Sequence, residues 1–339
     1  MAARAAPPPY TPSETPARSV NYLPSGATLL DLVLGGGYGE GRIVNIVGDR
    51  AAGKTLLAIE ACANFAHIHG VENCCYAEAE AAFDEDYAQI VGMPSGIQRV
   101  GGVDDEMPMR TIEQFAEHLL KFIKERDKKR PCLYILDSLD ALSDEGEQER
   151  DLGDATYGTA KAKLLSEFFR KHVDDIAHAR VTLMIVSQIR DKIGVTFGET
   201  KTRSGGHALN FYASQIIWLA EVEKLKRQIR GIDRVYGSRV LVNCKKNKVG
   251  LAYRTAEVTI RYNYGMDDED SMLRWLAKAK QDKQLSMSVD AFKEAVAAAR
   301  QEGNRAALLM LQAELATACK TVWDKIEADL APTIRKYQE

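Results

Sequence analysis

Gly48-Asp49-Arg50-Ala51-Ala52-Gly53-Lys54-Thr55 is the stretch on which the fold turns. It has the spacing GxxxxGK[ST] and stands between an apolar run at 42–47 and a helical pattern. In that setting backbone N–H groups of the loop and helix start can surround phosphate oxygens. Lys54 can reach the β- and γ-phosphates, and the Thr55 hydroxyl can ligate Mg²⁺. A chance glycine turn is the bland alternative, but it needs neither a strand before it nor a helix after it. ATP with Mg²⁺ is the expected cofactor pair.

Working outward, further short apolar runs at 74–80, 132–136, 182–187 and 215–219 alternate with helical patterns. In the segment 111–126, Ile112, Phe115, Ala116, Leu119, Leu120 and Ile123 follow the i, i+3, i+4, i+7 spacing of an amphipathic helix. Strands that are apolar throughout and separated by helices predict an α/β fold with a mainly parallel central sheet covered on both faces. Strand signals stop near residue 266, and helical stretches follow near 271–281, 288–301 and 304–330. Six of the ten prolines fall in the first 24 residues, which read as a flexible or extended arm. The expected division is an arm at 1–24, an ATPase core at 25–265 and a helical C-terminal domain at 266–339.

Composition narrows the function classes. With 45% hydrophobic and 27% charged residues in 339, the chain is neither wholly disordered nor a coiled coil. Its longest uncharged stretch, 204–220, contains His207, Asn210 and Gln215, so no membrane span is expected. No secretory h-region follows the N-terminus, and the six cysteines lack CxxC or metal-ligand spacing, so a reducing cytoplasm is expected. A net charge of −3 argues against a generic polycationic nucleic-acid binder. Positive charge is instead local, with nine basic against three acidic residues between 221 and 248.

The run at 132–136 ends in Asp137-Ser138, which suits a carboxylate at the C-terminal edge of the sheet acting on Mg²⁺, although such an aspartate can also simply cap a helix. Glu78 and Glu80 close the strand after the P-loop helix. By the two-residue repeat they share one face, beside the expected γ-phosphate. Glu80 is the candidate general base, with a solvated acidic turn as the alternative reading.

These residues resemble the bacterial RecA recombinases. Ser25-Gly26-Ala27-Thr28-Leu29-Leu30-Asp31, Leu34-Gly35-Gly36-Gly37 and Gly41-Arg42-Ile43-Val44 are similar to that family's entry into the P-loop. Ala79-Glu80, Asp84 and Tyr87 resemble its catalytic glutamate, adenine-contacting aspartate and adenine-stacking tyrosine. Gly153-Asp154 with Gly158 resembles its first DNA-binding loop. Ser187-Gln188-Ile189-Arg190, Lys192-Ile193-Gly194-Val195, Phe197-Gly198 and Gly205-Gly206 resemble the second. Lys246-Asn247-Lys248 resembles the lysine pair that reaches a neighbouring subunit's ATP.

The likeness covers roughly 25–265 and implies a DNA-dependent ATPase that forms helical filaments on single-stranded DNA and exchanges strands with homologous duplex DNA. Tyr262 and Gly265 join Asp84 and Tyr87 as expected cofactor contacts. Tyr157, Lys163, Ser166, Arg170, Arg190, Lys192, Ile193, Phe197, Ser204, Gly205 and Gly206 are the expected DNA contacts, with Phe197 open to a loop-packing reading. Gln188 ends an apolar strand, where its amide can sense the γ-phosphate and pass a shift to the DNA loop. Lys246 and Lys248, two apart on an extended segment, point the same way; a solvated basic turn is the alternative.

Departures from the family are also legible. A Pro-rich arm replaces the docking helix and strand, and Val20, Tyr22 and Leu23 are expected to anchor it on a neighbouring subunit. Asp191 interrupts the basic track. Leu241 and Asn243 stand where the family's second DNA site is basic, a role Lys224, Lys226, Arg227 and Arg230 can take. The C-terminal helices do not resemble the family's domain, and residues 267–339, with 13 acidic and 11 basic groups, form no acidic tail. Together these point to a phage-type or otherwise remote relative. The rival readings are a RecA-like hexameric helicase and an ATP-binding regulatory or assembly module.

Overall fold

The computed structural model describes residues 20–80, 82–102, 109–148, 159–191, 201–203 and 206–331. Its first half runs β1 (Tyr22–Leu23), α1 (Thr28–Leu34), β2 (Tyr38–Gly39), β3 (Ile43–Gly48), α2 (Lys54–His69), β4 (Cys74–Glu78), α3 (Glu85–Val91), β5 (Gln98–Gly101), α4 (Ile112–Glu125) and β6 (Cys132–Asp137). Its second half runs α5 (Glu145–Gln148), α6 (Thr159–His178), β7 (Val181–Asp191), β8 (Lys201–Arg203), α7 (Gly206–Tyr212), β9 (Gln215–Ile229), β10 (Ile232–Asn247), β11 (Arg254–Arg261) and β12 (Gly265–Asp267). Helices α8 (Asp268–Lys278), α9 (Val289–Gln301) and α10 (Arg305–Leu330) complete it.

The main sheet has the order β12-β11-β10-β9-β3-β7-β6-β4-β5. From β9 to β5 every pairing is parallel, whereas β9-β10, β10-β11 and β11-β12 are antiparallel. Each central strand feeds two apolar layers. Val44, Ile46, Leu133 and Ile135 pack toward α1 and α2, while Ile43, Val47, Tyr134 and Leu136 pack toward α4 and α6. That two-sided burial is why these strands read as unbroken apolar runs. Phe115 on α4 is fully buried against Tyr134, so truncating it to Ala would cost about 3–5 kcal/mol. Helix α4 starts where its pattern predicts, with Thr111 and Gln114 forming a reciprocal capping box. One polar residue interrupts β3, and it is satisfied: the Asn45 amide donates to Ile185 O at 2.8 Å and to Ser187 Oγ at 2.9 Å.

Strands β5, β10, β11 and β12 were not legible as apolar runs. The long β9–β10 hairpin turns at Arg230-Gly231, both with positive φ (51° and 81°), which suits a two-residue turn. Its outer part is exposed on both faces.

One expectation changes. Tyr22 and Leu23, expected as anchors on a neighbouring subunit, serve their own chain. They pair with Gly39 and Tyr38, Leu23 is buried, and the Tyr22 hydroxyl donates to Val249 O. The three C-terminal helices form, but Met272, Leu276, Leu315 and Val322 share one apolar cluster with Leu30 and Val258. Arg254 of β11 pairs with Glu327 of α10. All six cysteines are free and buried, and no helix among the described residues is long and apolar enough to cross a membrane.

Candidate functional site

Sheet order brings the chemistry to one edge. Gly48 of β3 stands level with Gln188 of β7, and Glu78 of β4 with Asp137 of β6. Because β7 lies between β3 and β6, Gln188 sits between the P-loop and Asp137. In the loop, Gly53 has φ +84°, a left-handed conformation that favours glycine, while a Cβ there would also make the tip of Ile260 move aside. Lys54 is buried at the start of α2, and its ammonium donates to Asp49 O at 2.7 Å. Burial lowers its pKa, opposed by the negative field of Asp137, Glu80, Asp140 and Asp49. Gly48, Asp49, Arg50, Ala51 and Ala52 complete the loop.

The two expected Mg²⁺ residues meet. Asp137 is buried, which raises its pKa, while hydroxyl groups of Tyr76 (2.7 Å to Oδ2) and Thr55 hydrogen-bond its carboxylate and oppose that shift. A buried carboxylate beside a hydroxyl, with a lysine held on the same loop, is the donor chemistry that a Mg²⁺ nucleotide requires, so these residues fit it.

Glu80 lies beyond β4 rather than in it, so the two-residue repeat that put it on a face with Glu78 does not extend that far. The two carboxylates differ in use. Glu78 accepts the Ala82 and Phe83 N–H groups and shapes the turn. Glu80 Oε1 accepts the Ser138 hydroxyl and, at 3.0 Å, the Gln188 side-chain amide.

Beside the loop is a cleft of ≈ 380 Å³ whose walls include Thr55, Tyr87, Ile260 and Tyr262. Tyr87 is half-buried, and burial raises its pKa. Asp84 is not among the cleft's walls. Its carboxylate caps α3, accepting the Tyr87 N–H at 2.9 Å, and so fixes the tyrosine. Gly265 is also away from the cleft walls, pressed against Glu60, which accepts the Met266 N–H. A larger cleft of ≈ 660 Å³, between the antiparallel strands and α8, contains none of the expected nucleotide residues.

Lys246 and Lys248 converge as their spacing predicts, but not on their own chain's P-loop. Both donate to Phe211 O, at 3.0 and 3.1 Å, near the end of α7. Asn247 stands level with Gln215 and hence with Val44, four residues before Gly48, about 13 Å along the strand direction. The pair thus occupies the opposite edge of the sheet, fastened there by Asn247 Nδ2 donating to Leu34 O at 2.9 Å.

On α6, Lys163, Ser166 and Arg170 fall at i, i+3 and i+7, hence on one side of the helix. Lys163 and Arg170 are exposed, whereas the Ser166 hydroxyl donates to Ala162 O of its own helix. The backbone of Arg190 pairs with Thr202, and Gly206 opens α7. Tyr157, Lys192, Ile193, Phe197, Ser204 and Gly205 lie outside the described residues. Sequence reasoning passed over Tyr76 and Asp140. Only the position of Asp140, three residues beyond Asp137, could have signalled it.

The fold and this edge define a P-loop nucleotide-binding α/β protein with a sheet extended by antiparallel strands. The RecA N-terminal domain family matches residues 12–267. The chain is 35% identical over 248 residues to Protein RecA of Nostoc punctiforme, covering 73% of this chain and 64% of that one. It is 36% identical over 248 residues to Protein RecA of Gloeobacter violaceus (73% and 63%), and 33% identical over 261 residues to that of Salinispora tropica (77% and 70%). The match spans about two thirds of the length of these curated relatives. The chain belongs to the RecA family.

Proposed function

We propose that this chain is an ATP-dependent recombinase that assembles on single-stranded DNA as a filament and pairs it with homologous duplex DNA, in recombination and repair in the cytoplasm. The observation that carries the reading is the Gln188–Glu80 hydrogen bond. It ties the carboxylate at the nucleotide edge to a residue whose strand runs on into the β7–β8 hairpin. Residues 25–265 serve as the ATPase and DNA-binding core and 266–339 as its helical C-terminal part.

Lys54 and the loop N–H groups hold the phosphates, and Thr55 and Asp137 hold Mg²⁺, which when bound neutralises phosphate charge. Glu80 takes the proton from the attacking water, oriented by Ser138 and Gln188. Tyr87 and Tyr262 flank the base. Lys246 and Lys248 act on the ATP of the adjacent subunit, a role favoured by their place at the sheet edge opposite their own P-loop. Head-to-tail contact of one edge with the other generates an open helical polymer when the rotation between subunits does not close into a ring. Exposed Lys163 and Arg170, with Arg190 and the glycine-rich loop, hold DNA through its phosphates.

Negative-stain images with single-stranded DNA and a slowly hydrolysed ATP analogue test the reading. Helical filaments are expected; closed rings would favour the helicase, and discrete particles the regulatory module.

A further inference from the structure

We propose that Asp140 is a positioning residue that pins Gln188, and through it Glu80, at the point where β7 leaves the sheet. The role rests on the ATPase reading above and adds to it a residue for which no motif accounts.

Strand β7 is flanked by β3 and β6, but the two supports end at different levels. The last pair with β6 is Leu136–Ile185, whereas β3 follows β7 as far as Gly48–Gln188. Between Ile185 and Ile189, one side of β7 therefore lacks a neighbouring strand among the described residues, and a backbone N–H directed there needs another acceptor. The Gln188 N–H finds Asp140 Oδ2 at 2.6 Å, a charge-assisted bond. Asp140 stands in the short 3₁₀ turn Leu139–Ala141, directly after Asp137 and Ser138.

That placement closes a ring of contacts. Ser138, at the start of the turn, donates its hydroxyl to Glu80. Asp140, within the turn, accepts from the Gln188 backbone. The Gln188 side chain donates to Glu80 at 3.0 Å. Beyond Gln188 the strand ladder continues with β8, through Ile189–Arg203 to Asp191–Lys201, while the Ile189 side chain still packs on the core. Gln188 is thus the last residue tied to the nucleotide edge and the first before the hairpin. With its backbone pinned by Asp140, a movement of its side chain away from Glu80 is passed forward into residue 189 instead of being absorbed by slippage of β7. Asp140 touches neither phosphate nor water in this scheme; it acts through Gln188.

The test compares Asp140→Ala, which removes the acceptor, with Asp140→Asn, which keeps an acceptor oxygen and loses the charge. Steady-state ATP hydrolysis is measured with saturating single-stranded DNA. For Asp140→Ala, kcat should fall roughly ten- to hundredfold, as for a reacting group displaced by a fraction of an ångström to an ångström, with the KM for ATP within about twofold of the parent. Asp140→Asn should recover most of the lost kcat. Wild-type kcat in a normally folded Asp140→Ala protein would overturn the proposal, as would Asp140→Asn being as impaired as Asp140→Ala. Should Asp140→Ala not fold, hydrogen exchange of the unsubstituted chain still decides. The Gln188 amide should be protected although β6 has ended, and free exchange there would overturn the assignment. A chain whose hydrolysis does not respond to DNA would instead defeat the recombinase reading, while the exchange result would still judge Asp140 by itself.

Discussion

The parallel and antiparallel halves of the sheet divide the work differently. In the parallel half, strands buried on both faces point toward one edge of the sheet, and the residues at or just beyond their C-terminal ends, Lys54, Gln188, Asp137 and Glu80, converge there because the strand order demands it. In the antiparallel half, charged residues crowd the outer parts of β9 and β10, the hairpin projects into solvent, and the lysine pair is carried to the opposite edge. A buried scaffold fixes the chemistry, and a polar extension presents surfaces to other molecules. The same strand, β9, takes part in both, pairing parallel with β3 and antiparallel with β10.

Substitutions should sort by half. The largest effect is expected for Lys54→Ala, which should weaken nucleotide binding and lower hydrolysis by roughly 10²-fold or more, read by equilibrium binding and turnover. Glu80→Gln should keep ATP binding and lose turnover by roughly 10²-fold. Equal hydrolysis by Glu80→Gln and the parent would remove Glu80 from the chemistry. Combined replacement of Lys226, Arg227 and Arg230 by Ala, all exposed on the hairpin, should leave ATP binding intact. It should also make the salt dependence of DNA affinity shallower, by about 0.7–0.9 in log–log slope per lost phosphate contact. An unchanged slope would separate the hairpin from DNA.

The smallest effect concerns the carboxylates between α1, α2 and α8. Burial raises the pKa of Asp31 and Glu60 to about 7 and that of Asp268 to about 6. Unfolded carboxylates titrate near 4, so between about pH 4 and 7 the folded chain binds more protons, and stability falls as pH rises through that window. The melting temperature should drop from pH 5 to pH 8. Glu60→Gln, which can still accept from the Met266 N–H, should flatten that drop by roughly 2–4 °C. An unchanged pH profile in the variant would show that Glu60 does not titrate there.

What could be read from the chain follows the same division. The runs at 42–47, 132–136 and 182–187 are strands because burial on both faces leaves no room for charge, and Lys54, Thr55 and Asp137 could be placed from their ends. Strands β10 and β11 escaped because one side of each meets solvent or ion pairs, such as Arg239 with Glu223 and Glu257. Glu78 and Glu80 could not be told apart by spacing, since what separates them is the turn that Glu78 caps. Asp84 entered as an adenine contact through the resemblance alone; its bond to the Tyr87 N–H, three residues on, is a local helix cap that spacing could have signalled. Tyr22 and Leu23 were legible as anchors, but the strand that receives them lies within the chain.

The most direct test of a site shared between the two edges is the hydrolysis of mixed filaments. Lys248→Ala protein keeps Glu80, and Glu80→Gln protein keeps Lys248, so an interface with the first as ATP holder and the second as lysine donor is intact. Equal mixing on single-stranded DNA should restore turnover toward about a quarter of the parent rate, because one in four interfaces has that order. Turnover no higher than that of the separate variants, in filaments confirmed to be mixed, would contradict a site completed by the neighbour's lysines.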